Sequence, residues 1–138
     1  MFLPVTCLLI CMSCYNEKEY YIPDIKVYVF YETVDDPEIK KPDAGAWVYL
    51  FYGKGENDFD GFTYQGEGIF IKEDSPAIEP DLIHVTGENG TVFFIPEYTG
   101  ENAVIVVESN YYKGDFDITP ITSTMHSAGL YRVFKPAE

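Results

Sequence analysis

Four acidic residues in the middle of the chain have a spacing that could hold a hard cation. In an EF-hand loop, acidic side chains at positions 1, 3, 5 and 12 wrap one calcium ion, and glycine at position 6 permits the sharp turn. The chain has these residue types at Glu56, Asp58, Asp60, Gly61 and Glu67. Position 1 is normally aspartate, and the flanking segments resemble strands rather than helices. We therefore predict a solvated acidic loop without a bound metal, with calcium binding as the alternative.

Tyrosines form a second group of side chains with possible ligand chemistry. A tyrosine ring can stack on the apolar face of a sugar while its hydroxyl meets water or another polar group. Tyr111 and Tyr112 follow a strongly hydrophobic segment, and Tyr98 precedes that segment. The alternative use of such rings is packing in the core and along strand edges. These three tyrosines are the candidate ligand-binding residues.

The residue types that carry out most enzymatic chemistry are scarce. The two histidines, His84 and His126, cannot alone supply the three protein ligands of a typical catalytic zinc site. No nucleophile elbow, phosphate-binding loop or dinucleotide fingerprint occurs. The 23 acidic residues include no recognisable pair for glycoside hydrolysis, which stays as an alternative. We predict that the protein is not an enzyme and uses no cofactor.

All three cysteines, Cys7, Cys11 and Cys14, lie in the first fourteen residues. Residues 1–13 are uncharged and mostly apolar, and polar residues follow at once. An apolar run that ends in a small residue is typical of an export signal. It is shorter than the about 20 residues that a membrane-spanning helix needs. A buried strand would leave three free thiols in an exported domain, which is unusual in an oxidising compartment.

Residues 11–14, with the sequence Cys-Met-Ser-Cys, resemble the lipobox of bacterial lipoproteins. The resemblance implies that Cys14 becomes the lipidated first residue of the mature protein and anchors it in a lipid bilayer. The chain then divides into a signal peptide (1–13), a tether (14–24) and one domain (25–138). The implied location is the bacterial cell envelope, either periplasmic or exposed at the surface.

The net charge of −14 excludes one large class of partners. Nine basic residues oppose 23 acidic ones, and all of them lie after the predicted signal. Phosphate backbones repel a polyanion of this kind, so we predict no binding to nucleic acid. The acidic residues are spread along the chain, which favours solubility and mutual repulsion.

The composition and the hydrophobic pattern predict β-structure. Aromatic residues make up 17% of the chain, and they favour half-buried strands. Residues 25–33 alternate between apolar and polar positions, whereas residues 46–52 are apolar on both faces and predict a central strand that is covered on both sides. Residues 103–108 and 130–134 predict two further strands, with a long polar connection over residues 109–129.

Two predicted hairpins complete the pattern. Residues 62–64 and 68–72 flank a break that indicates a hairpin or a bulged strand. Residues 81–86 and 91–95 flank Asn89-Gly90, a pair that favours a tight hairpin turn with positive φ at both residues. With seven or eight short strands and no helix, the prediction is an all-β, antiparallel Greek-key β-sandwich.

Three segments resemble carboxypeptidase-regulatory-like and collagen-binding B-type domains. Residues 42–51 (PDAGAWVYLF) are similar to their P-x-A-G-A-x-V-x-L strand, and residues 86–94 (TGENGTVFF) to their T-D-x-x-G-x-V-x-F hairpin. Residues 104–108 fall where those families have a Y-x-V-x-V-E strand. The resemblance implies a transthyretin-like sandwich, a fold of spacers, stalks and accessory modules. Some relatives carry a Lys–Asn isopeptide bond, for which Lys26 and Glu108 match two positions, but the last strand has no asparagine.

Together these observations predict a non-enzymatic, lipid-anchored β-sandwich that acts as an interaction or structural module outside the cytoplasm. Its predicted partners are the bilayer, through the acyl anchor, and an envelope protein or a glycan. The alternative is a glycan-binding accessory lipoprotein that uses exposed tyrosines. A calcium-stabilised or hydrolytic domain is a third, less favoured interpretation.

Overall fold

The computed structural model describes residues 22–125 and 128–137. Within them the chain forms ten strands and one turn of 3-10 helix at Glu56–Phe59, without an α-helix. The strands are β1 (Ile25–Tyr31), β2 (Lys41–Pro42), β3 (Trp47–Tyr52), β4 (Thr63–Tyr64), β5 (Phe70–Ile71), β6 (Leu82–Val85), β7 (Thr91–Phe94), β8 (Asn102–Glu108), β9 (Phe116–Thr122) and β10 (Ala128–Phe134). No helix in this part of the chain is long and apolar enough to cross a membrane. The predicted signal peptide, Cys14 and most of the tether lie outside the described residues.

The first sheet is built around β1. Strand β10 runs parallel to it along its whole length, from Ile25 opposite Ala128 to Tyr31 opposite Phe134. On the other side, β7 pairs antiparallel with the first part of β1 and β2 with its last two residues. The prediction of an entirely antiparallel sandwich is therefore wrong at the β1–β10 pair. The first and last strands of the domain are neighbours, and both run in the same direction.

The second sheet has the order β6-β3-β8-β9, and every pair in it is antiparallel. Strand β9 lies in the segment that was predicted to be a polar connection, so that prediction is wrong for residues 116–122. The strand contains Pro120 and several polar residues, which hide its hydrophobic pattern. Both are tolerated because β9 is an edge strand, where a proline need not supply a hydrogen bond to a neighbour.

The two central strands of sheet two, β3 and β8, are buried on both faces, as the sequence of β3 predicted. Val48 and Leu50 point towards sheet one, whereas Tyr49 and Phe51 point away from it. The inner core lies between the two sheets and comprises mainly residues of β1, β3, β8 and β10. The outer core lies on the far face of sheet two, where residues 53–81 cover it; its buried members are Tyr49, Phe51, Phe59, Phe70, Ile78, Val104 and Val106. Each large apolar side chain buried here contributes about 1.5–3 kcal/mol.

The all-β prediction is confirmed. The described residues form ten strands instead of the predicted seven or eight, because β2 and β9 lie in segments for which no strand was predicted. The hairpin between residues 62–64 and 68–72 is confirmed as the antiparallel pair β4–β5. The hairpin predicted at Asn89-Gly90 is wrong, because β6 belongs to sheet two and β7 to sheet one. The turn carries the chain across the sandwich, and only Gly90 has a positive φ, at 74°.

Candidate functional site

Tyr111 and Tyr112 belong to a cluster of three rings at one end of the sandwich. The ring of Tyr111 stacks on that of Tyr31, with centroids 3.8 Å apart and planes within 8°. Tyr112 meets both rings edge-on, and its hydroxyl donates to the carbonyl of Glu32 at 2.5 Å. Tyr111 is 52% exposed, so one face of its ring is packed while much of the ring is open. We call Tyr31, Tyr111 and Tyr112 the tyrosine platform.

A buried carboxylate fixes the loop that carries the platform. Asp43 is only 1% exposed. Its Oδ2 accepts a hydrogen bond from the Ser109 hydroxyl at 2.5 Å, and its Oδ1 accepts from the backbone N–H groups of Asn110 and Tyr111 at 3.2 and 3.1 Å. Burying a carboxylate is costly unless it is hydrogen-bonded, and here three donors offset that cost. The position of Tyr111 is therefore set by the protein and not by a ligand.

The backbone of Asp43 is itself tied to both sheets. Its N–H donates to the carbonyl of Val29 in β1 at 2.9 Å. Its carbonyl accepts from the hydroxyl of Thr86 at 2.6 Å, and the same hydroxyl oxygen accepts from the N–H of Ala46. Thr86 is buried as well. Together with the side-chain bond to Ser109, these bonds connect β1, the entry to β3, the end of β6 and the end of β8.

An open cavity of about 380 Å³ lies beside the platform. Tyr31 and Tyr111 supply its aromatic wall, and Asn110 and Lys113 supply polar groups. The amide nitrogen of Asn110 donates to the carbonyl of Ala44 at 2.9 Å, which orients the side chain. The aromatic wall can stack on a ring of a ligand, while the amide and ammonium groups donate hydrogen bonds to the hydroxyls of that ligand.

Tyr98, the third candidate, lies far from the platform. Its ring stacks on Tyr52, with centroids 4.2 Å apart, and both rings pack against the inner core. Tyr52 pairs with Ala103 at the start of β8, whereas Tyr111 follows the end of that strand. The structure thus brings Tyr111 and Tyr112 together and separates Tyr98 from them. Tyr98 has the packing role that the sequence analysis gave as the alternative.

The four acidic residues with calcium-like spacing do not converge. Glu56 and Asp58 lie in the 3-10 turn, where Asp58 accepts a hydrogen bond from the N–H of Gly55 at 2.7 Å. Asp58 lines one cavity, and Glu67 lines a different one. Among the described residues no three His, Cys, Asp or Glu side chains form a group that could hold a metal ion. Of the two histidines, His84 stacks on Phe94, and His126 lies outside the described residues.

A second cavity, on the outer face of sheet two, was not predicted from the sequence. Its volume is about 430 Å³, and its lining residues are Trp47, Tyr49, Glu67, Ile69, Ile83 and Glu108. Glu108 is only 8% exposed, and its Oε1 has no hydrogen-bond partner in the part of the chain that the structure describes. The signal in the sequence was an acidic residue that ends the most hydrophobic strand. Its burial depends on residues 53–81, which no local pattern places over β8.

Two phenols beside Glu108 stay protonated. Burial, followed by the negative charge of Glu108, raises the pKa of Tyr49 to about 12. Burial and hydrogen bonding to Glu108 also raise the pKa of Tyr64, well above its ordinary value. The Tyr64 hydroxyl oxygen in turn accepts from the N–H of Gly68 at 2.9 Å. Both phenols therefore stay neutral beside Glu108 at physiological pH.

The isopeptide arrangement that the family resemblance suggested is absent from the described residues. Lys26 is exposed on the outer face of sheet one, where it lies near the Tyr28 ring. Glu108 faces the outer core on the far side of sheet two. The whole sandwich lies between the two side chains, so Glu108 cannot assist a reaction of Lys26.

Comparisons with known proteins add a distant structural likeness to this geometry. No protein-family model matches the chain, and no curated protein matches it significantly. Among solved structures, the chain is similar to a Pseudomonas aeruginosa protein that is described as a candidate carbohydrate-binding protein. The alignment covers 91% of this chain and 95% of that one, at 12% sequence identity and a TM-score of 0.47. A likeness of this degree carries no argument about ligands, so the chemistry of the site rests on its own geometry.

Proposed function

We propose that this chain is a non-enzymatic, glycan-binding module of the bacterial cell envelope, held at a membrane by a lipid on Cys14. The observation that supports glycan binding is the exposed Tyr111 ring, stacked on Tyr31 and fixed by the buried Asp43. A transthyretin-like relationship is part of the same proposal and accords with the all-β fold. If no sugar binds, the second candidate is a structural or protein-binding module without a glycan site.

The preorganisation of the platform is the physical reason for preferring a sugar. Binding costs less free energy when the receptor groups are already ordered. Three hydrogen bonds hold the loop of Tyr111 to Asp43 before any ligand arrives. Tyr111 is about half exposed, so a ligand can reach its ring. The neighbouring Asn110 and Lys113 supply donors for hydroxyl groups.

The Tyr111→Ala variant tests the platform directly. A glycan array identifies a ligand of the unmodified protein, and calorimetry then measures its affinity for the variant. We expect Tyr111→Ala to weaken binding by about tenfold or more, because aromatic stacking of about 0.5–1.5 kcal/mol is lost together with the apolar contact area. The array sugars should be bound without being cleaved.

Tyr131→Ala is the matched control, because Tyr131 has the same exposure, 52%, and also packs against another aromatic ring. It lies on β10, away from the platform, and should leave the affinity unchanged. Equal losses in both variants, or no array binding at all, would reject the glycan site and favour the structural module.

The lipid anchor is tested separately, since it rests on residues 1–14 alone. In bacteria expressing the chain with its native leader, a fatty-acid analogue should label the protein and place it in the membrane fraction. Cys14→Ser should lose both the label and the membrane association, while Cys7→Ser keeps them. Persistent labelling of Cys14→Ser contradicts the anchor and leaves the glycan proposal untouched.

A further inference from the structure

The second cavity has the composition of a site for an organic cation. Trp47 and Glu108 are directly opposite each other on neighbouring antiparallel strands, so their side chains lie on the same face. Ile83 is opposite Tyr49 on the next strand and is 54% exposed. The cavity therefore combines an aromatic and aliphatic wall with a carboxylate at its inner end.

Glu108 supplies the polar half of the site. The side chain is more than nine-tenths buried, and its Oε1 meets no donor among the described residues. A buried carboxylate oxygen without a hydrogen-bond donor is costly, and a bound ammonium group would supply that donor. The phenols of Tyr49 and Tyr64 are uncharged, so they do not neutralise the carboxylate.

Glu67 brings a second carboxylate to the mouth of the same cavity. It has φ of 57° and lies between Gly66 and Gly68, which also have positive φ values of 88° and 78°. A side chain at Gly68 would place its Cβ 2.6 Å from the Tyr49 ring, so the loop can pack this closely only with glycine there. Glu67 thus has a left-handed conformation in a tightly packed loop, and its side chain lines the cavity that Glu108 also lines.

We infer that this cavity binds a primary alkylammonium group, from a small amine or a lysine side chain, with the ammonium between Glu108 and Glu67 and the hydrocarbon against Trp47 and Ile83. Ammonium groups are attracted to the face of tryptophan as well as to carboxylates. A hard metal ion fits less well, because calcium takes six to eight oxygen ligands and one side of this cavity is apolar. The inference is independent of the glycan proposal, since it concerns another face of the molecule.

The chain contains a single tryptophan, so fluorescence reports on the cavity wall itself. Butylamine is titrated at neutral pH, with 1-pentanol as the neutral probe of similar size and sodium chloride at equal ionic strength as the control for the net charge of −14. We expect a saturable change in Trp47 fluorescence with butylamine alone. Nα-acetyl-lysine amide is the second arm: saturation by it shows that a lysine side chain enters the cavity, and saturation by butylamine alone limits the site to free amines.

Glu108→Gln keeps the size of the side chain and removes its charge, and it should weaken butylamine binding at least tenfold. Glu67→Gln changes an exposed side chain on the loop, so it tests the same site without disturbing buried packing; we expect a loss of several-fold. Glu97→Gln, an exposed acid beside Tyr52 at the far end of sheet two, is the matched control and should bind normally. Equal responses to butylamine, 1-pentanol and salt, or unchanged affinity in both Glu108→Gln and Glu67→Gln, would overturn the inference.

Discussion

Replacing Gly90 with valine should lower the free energy of unfolding by about 2–6 kcal/mol. Gly90 has φ of 74°, and a Cβ at this position would lie 2.4 Å from the carbonyl oxygen of Val29 and 3.1 Å from the nitrogen of Asp43. Both neighbours are backbone atoms, so they cannot rotate away. A strained φ costs about 1–3 kcal/mol, and overpacking costs typically about 1–3 kcal/mol more.

The contact is costly because Gly90 takes part in the sheet that it touches. Its carbonyl accepts from the N–H of Val29 at 2.8 Å, and the carbonyl of Val29 accepts from Asp43 at 2.9 Å. Moving β1 away from a new side chain would break both bonds. The denaturant midpoint at constant m-value measures the loss.

Gly114→Val separates the two contributions. Gly114 also has a positive φ, 94°, but a Cβ there would meet no atom within 4 Å. This control should show the backbone strain without the clash, and so a clearly smaller loss of stability. If both variants lose the same free energy of unfolding, Gly90 does not lie as close to β1 as described.

Replacing Asp43 with alanine should lower the free energy of unfolding by about 2–5 kcal/mol and should also weaken glycan binding. The change leaves the Ser109 hydroxyl and the N–H groups of Asn110 and Tyr111 without their acceptor. Each buried donor left unsatisfied costs about 1–3 kcal/mol. Denaturation measures the first effect, and calorimetry with the array-selected glycan measures the second.

Asp36→Ala is the control for Asp43→Ala, since it removes an aspartate from the same connection between β1 and β3. Asp36 forms an ion pair with Lys41 at 3.0 Å, and both side chains are more than a third exposed. Such surface pairs contribute about 0–1 kcal/mol. Similar effects of the two substitutions would show that Asp43 does not hold the loop of Tyr111.

The strands that could be predicted are those whose pattern is local. Strand β1 alternates, β3 is apolar on both faces, and β8 is the most hydrophobic segment. Strand β9 could not be predicted, because an edge strand needs little hydrophobic surface and accepts Pro120. The parallel β1–β10 pair joins residues about a hundred positions apart, and no local sequence signal specifies such a pairing. The turn at Asn89-Gly90 was recognised, but not that β7 pairs with β1 after it. That pairing brings Gly90 against the backbone of Val29, where only a residue without a Cβ fits.

Of the candidate site, the sequence predicted the tyrosines of one loop but not the residues that pack against that loop. Two neighbouring tyrosines after a strong strand indicated Tyr111 and Tyr112, but their partner Tyr31 is 80 positions before Tyr111 in the sequence. Asp43 looked like one more acid among 23, and its role appears only when Ser109 and Asn110 are folded against it. Glu108 was recognised as the end of a strand. Its burial depends on residues 53–81, which are distant in the sequence and cover this face of the sheet.

The parallel pairing of β1 and β10 has a mechanical consequence. Tension between the segment before Ile25 and the segment after Phe134 would pull the two strands from opposite ends of a ladder of seven residue pairs. The ladder is then loaded in shear, and its evenly spaced hydrogen bonds share the force. Antiparallel terminal strands would instead be unzipped one bond at a time from a single end. The geometry therefore distributes lengthwise tension over the whole β1–β10 ladder at once.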